Sequence, residues 1–234
     1  IIAVKYCFNK MGPKKIFAWL EKNRPETNWP CKTTIQNILR RHGLTISRKL
    51  KRRVPGKISH LAPCHGANDV WCVDFKGRIT TLDGSKCEPF TLMDAASRYL
   101  IRCVRLNRND TNHVWAVLST AFREFGLPLY LRHDNGPPFA TCGAGRLSQL
   151  SVMLIKVGVI PEWIDPGKPQ QNGKHERMHQ TLKLETANPP ALSLEMQDRR
   201  FEEFVEYYNY ERPHEAINQC TPGSIYVRSE RQWD

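Results

Sequence analysis

Apolar and polar positions divide the chain into a short helical beginning and a longer remainder that alternates strand and helix periods. Residues 11–23 (MGPKKIFAWLEKN) carry Ile16, Phe17 and Leu20 on one helical face. Residues 31–44 (CKTTIQNILRRHGL) predict a second helix. Thr33 or Thr34 caps it, Ile35, Ile38 and Leu39 turn inward, Arg40 and Arg41 complement its C-terminus, and Gly43 stops it. Residues 45–57 (TISRKLKRRVPGK) have no apolar period and read as a linker. Beyond residue 66 the pattern changes. Strands are expected at 69–76, 88–94 and 99–106, with Asp83-Gly84 turning between the first two. A helix at 112–126, a strand at 128–134, a helix at 145–158 and a strand at 159–164 follow. After the breaker-rich DPGKPQQNG, residues 172–187 and 192–211 are helical, the latter burying Phe201, Phe204, Val205 and Tyr208. This order predicts an α/β domain, a mixed sheet flanked by helices.

One position interrupts the first strand. In VWCVDFKG (70–77), Asp74 stands among residues that suit a partly buried pleated surface, where an unpaired carboxylate is costly. A second acid, Asp134, closes a predicted strand ahead of a turn-forming Asn-Gly, the end of the strand where α/β folds place their chemistry. A third, Glu176, lies early in a helix. Asn172, Glu176, Gln180 and Lys183 fall at helical spacing and form a polar stripe, facing either solvent or a substrate.

Charge adds a further division. Residues 1–57 hold 15 Lys and Arg against Glu21 and Glu26, a net +13; the remaining 177 residues hold 20 basic and 21 acidic side chains, leaving +12 for the whole. So basic a block is an electrostatic footprint for a polyanion. Two short helices with exposed bases suggest a helix-turn-helix-like unit, with Arg40 and Arg41 and the linker residues Lys49, Lys51, Arg52 and Arg53 as candidate phosphate contacts. The eight cysteines include no C-x-x-C pair, and His60, Cys64 and His65 lack a second ligand pair. A disulfide framework or zinc site is not expected, and an intracellular location is favoured. No apolar run is long enough to span a bilayer and no segment resembles a signal peptide. The chain starts at Ile1, as a fragment of a longer protein would.

WCVDFKG, LRHDNGPPFA and PGKPQQNGKHERMHQTLK, in that order, resemble the Asp, Asp, Glu motifs of bacterial insertion-sequence transposases with a retroviral-integrase-type core. LMDAASRYL, YYNYERPHEAINQCTPGSIY and KTTIQNILRRHGL resemble further segments of the same enzymes. The resemblance implies an RNase H-like core with a five-stranded mixed sheet flanked by helices at 58–215. A small basic helical DNA-binding region and linker precede it (1–57) and a C-terminal tail follows (216–234). It implies that Asp74, Asp134 and Glu176 are catalytic and hold two Mg²⁺ or Mn²⁺ ions. Fifty-nine residues separate the first pair and 41 the second. The second gap is longer than in the retroviral enzymes, and residues 140–150 look like the extra length. Lys183 matches a position that contacts DNA. The implied activity is metal-dependent DNA strand cleavage and strand transfer on element ends and target DNA, by a homo-oligomer in the bacterial cytoplasm at the nucleoid, with no membrane. A nuclease that never joins, or a decayed transposase that only binds DNA, are the alternatives.

Overall fold

In the computed structural model, which describes residues 1–7, 12–45, 61–141, 145, 147–166 and 169–233, chain contacts form two units, Ile1–Arg52 and Arg53–Asp234. The first contains helices α1 (Ile2–Cys7), α2 (Pro13–Asn23) and α3 (Lys32–Arg41). Ile16 and Leu20 of α2 pack with Ile35 and Leu39 of α3, and Phe17, Trp19 and Trp29 close around them. Pro13 opens α2, where its missing N–H costs nothing. The cap of α3 differs from expectation. Cys31 holds the capping position, its Sγ 3.3 Å from Thr34 Oγ1, and both threonines already lie within the helix. Gly43 ends it in the left-handed region (φ 65°), where Leu44 N–H donates to the Leu39 carbonyl. Arg40 and Arg41 are exposed at its end. Lys49, Lys51, Arg52 and Arg53, the expected linker contacts, lie outside the described residues.

The second unit is built on a five-stranded sheet ordered β5-β4-β1-β6-β7. Its strands are β1 (Val70–Phe75), β4 (Pro89–Asp94), β5 (Leu100–Arg105), β6 (Tyr130–His133) and β7 (Ile160–Trp163). β1 is central, antiparallel to β4 and parallel to β6. The Asp83-Gly84 turn does not lead straight into β4. It closes a separate two-stranded ribbon, β2 (Ile79–Thr80) with β3 (Lys86–Cys87), that stands between the two. One face of the sheet, with Trp71, Val73, Phe90 and Leu92, is covered by α4 (Thr111–Phe125) and α5 (Gln149–Lys156). The other, with Met93, Leu100 and Cys103, is covered by α6 (Gly173–Ala187) and α7 (Leu194–Glu206) through Met178, Leu182, Phe201 and Phe204. Strands buried on both sides explain why β4 has all six residues buried.

Helix starts follow local chemistry. Asp110 caps α4 by accepting from His113 N–H at 3.0 Å. α5 begins four residues later than the apolar period suggests, because Ser148 and Ser151 form a reciprocal capping box. α7 runs on into a π-helical turn, Tyr207–Glu211. The segment expected as a tail packs on the α4 side of the sheet. Tyr226 stacks on Tyr99 at 4.3 Å, a short helix α8 (Pro222–Ile225) precedes it, and Trp233 meets Trp115 and Phe122 edge-on. The described cysteines are all free, and no helix among the described residues is long and apolar enough to cross a membrane.

Candidate active site

Asp74 sits near the end of the central strand, on the face covered by α6. Its cross-strand partner there is Thr91 of β4, whose hydroxyl donates to the Asp74 carbonyl at 3.0 Å. The Asp74 side chain keeps 27% of its surface exposed and one oxygen accepts from Phe75 N–H at 2.8 Å. Burial pushes its carboxyl up to about 6, and the negative charges of Asp134 and Glu176 push the same way, against Phe75 N–H and Lys76. Asp134 and Glu176 are thus each in electrostatic reach of Asp74.

Asp134 follows the last residue of β6, and its position is fixed by its neighbours. The His133 ring is buried, stacked on Phe139 and edge-on to Trp163, and its Nδ1 lies 2.8 Å from the Asp134 carbonyl. Burial lowers His133 to about 4, so the neutral ring donates from Nδ1. Gly136 N–H donates to Asp134 Oδ1 at 3.0 Å, and Asn135 Nδ2 donates to the Ile164 carbonyl. Gly136 leaves room for the Asp134 carboxylate. A Cβ there would lie 3.1 Å from Asp134 Oδ2.

Glu176 is exposed in the first turn of α6, after the 3-10 turn Pro169–Asn172. Gln180 and Lys183 are exposed with it. Asn172 departs from the expected stripe: it is buried at the helix start, its Oδ1 without a partner among the described residues, because the 3-10 turn rotates it away from the helical face.

Sequence reading missed what holds α6 against the sheet. His175 and His179 lie one helical turn apart on the buried side of α6, and each places its Nε2 2.7 Å from Thr91 Oγ1. With the single hydroxyl proton given to the Asp74 carbonyl, both imidazoles donate from Nε2, and one threonine oxygen ties the helix of Glu176 to the strand of Asp74. Burial drives both histidines down, His179 to about 3 with help from Lys76. The 3.9 Å approach of His179 Nδ1 to Asp74 Oδ2 is thus a neutral ring facing a carboxylate, not an ion pair. The only signal in the sequence was His-x-x-x-His beside Glu176, which carries no partner information.

Two models of the integrase core domain match the chain, over residues 65–169 and 157–222. The chain belongs to the integrase core family. It is 25% identical over 221 residues, 94% of this chain and 76% of the relative, to the 31.7 kDa protein of insertion element IS407 of Burkholderia multivorans. It also superposes on the HTLV-2 integrase catalytic core domain solved with magnesium (TM-score 0.55, 17% identity, 70% of this chain and 100% of that one). A chain of the simian T-cell lymphotropic virus intasome, solved with PP2A regulatory subunit B56 gamma, matches at TM-score 0.59 and 17% identity over 97% of this chain and 75% of that one. At such identity the likeness is one of fold, an RNase H-like core.

Integrase cores use divalent cations, and carboxylate oxygens are the donor type such cations take. Asp74, Asp134 and Glu176 supply hard carboxylate oxygens, and Asp74 is driven up in part by like charges that a cation would offset. Among the described residues no three His, Cys, Asp or Glu side chains are gathered tightly enough to form a cage.

Proposed function

We propose that this integrase-core protein cuts DNA at the ends of a mobile element and joins them to target DNA, with Asp74, Asp134 and Glu176 as the catalytic acids. The convergence of Asp134 and Glu176 charge on the half-buried Asp74 carries the reading. The chain's own residues do three things. Asp74 presents its carboxylate from the rigid centre of the sheet. The Gly136 N–H and the His133 ring hold Asp134 in place. The Thr91–His175–His179 contacts set α6, and hence Glu176, against β1. The three carboxylates would hold two Mg²⁺ or Mn²⁺ ions, which when bound activate the attacking oxygen and stabilise the leaving one. Water as nucleophile gives cleavage; a 3′-hydroxyl gives transesterification, which needs no nucleotide cofactor. Lys183, about 10.5 Å of helix rise beyond Glu176, would meet DNA a nucleotide or more away. Arg40 and Arg41, with Lys49, Lys51, Arg52 and Arg53, would neutralise backbone phosphates. The protein would act as a homo-oligomer on element ends, at the bacterial nucleoid.

The test is incubation of the full chain with labelled element-end DNA and Mg²⁺ or Mn²⁺. Wild type should nick the DNA and form joined products, and Asp74→Asn, Asp134→Asn and Glu176→Gln should do neither while still binding it. Nicking retained in any one variant would remove that acid from the site. Hydrolysis without joining would reduce the protein to a nuclease.

A further inference from the structure

A cavity of about 490 Å³ is lined by α6 residues on either side of Glu176, by Arg98 of the β4–β5 turn and by the segment after α7. Arg98, Lys174, Arg177 and Arg212 line it, against the single acid Glu215. Three of these cations act on one point, since Arg98, Arg212 and Arg177 all favour ionisation of the Tyr208 hydroxyl; burial nonetheless holds that phenol up at about 12, uncharged. Their own neutralisation is poor. Arg212 approaches Glu185 only at 4.0 Å with both partly exposed, and Lys174 donates to the Ala95 carbonyl rather than to an acid. Arg98 takes a left-handed backbone (φ 69°) in the turn, and its Nε is buried without a partner among the described residues. A buried donor left unpaired is costly, and an anion in the cavity would offset that cost.

We propose that this cavity binds a phosphodiester of DNA and grips one strand beside the catalytic acids. Guanidinium groups suit this ligand because their fixed donors match phosphate oxygens in pairs. The location suits it too. Arg177 follows Glu176 directly, so the two side chains leave α6 about 100° apart, on adjacent faces of one helix. The arrangement also gives a use to the RPH of YYNYERPHEAI, since Arg212, Pro213 and His214 line the cavity together with residues of α6. The proposal rests on the chain being a DNA-acting enzyme.

The experiment measures affinity of the full chain for a 20-base-pair duplex, a length of roughly two helical turns, in EDTA across a salt series. EDTA removes chemistry from the readout. Arg177→Gln and Arg212→Gln should each weaken binding and reduce the slope of log affinity against log salt by about 1. Arg98→Gln should do the same if it folds; Arg177 is exposed, so its variant carries the test regardless. Arg123→Gln, on α4 across the sheet, should change neither. Equal slopes for wild type, Arg177→Gln and Arg212→Gln would overturn the proposal. So would arginine-dependent binding of inorganic phosphate, measured by calorimetry, alongside unaltered duplex binding, which would make this a small-anion site. Slope changes in a protein that never nicks with Mg²⁺ would sink the catalytic reading and leave the cavity standing. Nicking with unaltered slopes would do the reverse.

Discussion

Asp74 is held at a loss in the cation-free protein. Its carboxyl ionises near pH 6 when folded and near the ordinary 3.8 when unfolded, because burial and two neighbouring acids disfavour its charge. Below about pH 4 both states are protonated and the residue costs nothing. As pH rises through 6 the folded state loses stability, by an upper figure of about 3 kcal/mol at 1.4 kcal/mol per tenfold. Asp74→Asn in EDTA should therefore melt higher than wild type at pH 7.5, and the gap should close by pH 4. Adding Mn²⁺ should raise the wild-type Tm and leave the variant nearly still. A variant less stable than wild type at pH 7.5 would mean that Asp74 is a structural group. Gly136 bears on the same cluster. A methyl group 3.1 Å from Asp134 Oδ2 must displace that carboxylate and the bond it accepts from Gly136 N–H. Losing one such bond costs about 1 kcal/mol, so Gly136→Ala should weaken Mn²⁺ binding roughly fivefold by calorimetry. Unchanged affinity would show that Asp134 needs no such support.

Among the elements, α6 joins the sheet through the apolar contacts of Met178 and Leu182 and through a single hydroxyl, that of Thr91. Thr91→Val keeps the shape of the β4 residue but removes the acceptor for His175 and His179 and the donor to Asp74. Two buried rings then lack partners, and the cost should be about 2–4 kcal/mol in urea unfolding. Thr91→Ser should recover most of it. If the hydroxyl also positions Glu176, kcat should fall in Thr91→Val with KM for DNA nearly unchanged, and Thr91→Ser should restore it. Loss of stability without loss of kcat would confine Thr91 to packing. Elements of this length were legible in the sequence wherever apolar repeats extended far enough. β1, β4, β5, α4 and α7 follow from periodicity, and Asp74 and Asp134 from the way each interrupts or ends a strand. The β2–β3 ribbon escaped because two-residue strands cannot show an alternation. The Thr91–histidine contacts escaped because they join residues 84 and 88 positions apart, a relation that no local pattern encodes. Arg98 and Arg212 likewise meet α6 only through the fold.

On the scale of the whole molecule, basic charge and the acidic cluster belong to different units. The first 57 residues hold a net +13 and the rest is close to neutral, so most counterion release on DNA binding should come from a region whose boundary falls near the Arg52–Arg53 division of contacts. That separation was legible, since a count of charges along the chain needs no fold. Clustering inside the near-neutral remainder was not, because Arg98, Arg177 and Arg212 are scattered in sequence and sum to little against the acids around them. The two sources of affinity make different predictions. Deleting residues 1–57 should flatten the salt dependence of duplex binding sharply, yet leave a residual slope no steeper than about −5, set by the four cations of the α6 cavity and Lys183. Arg177→Gln in the shortened chain should then remove a larger fraction of that slope than it does in the full chain. An unchanged slope after the deletion would mark the basic block as a solvated surface. A slope of zero would leave the cavity without a phosphate to hold.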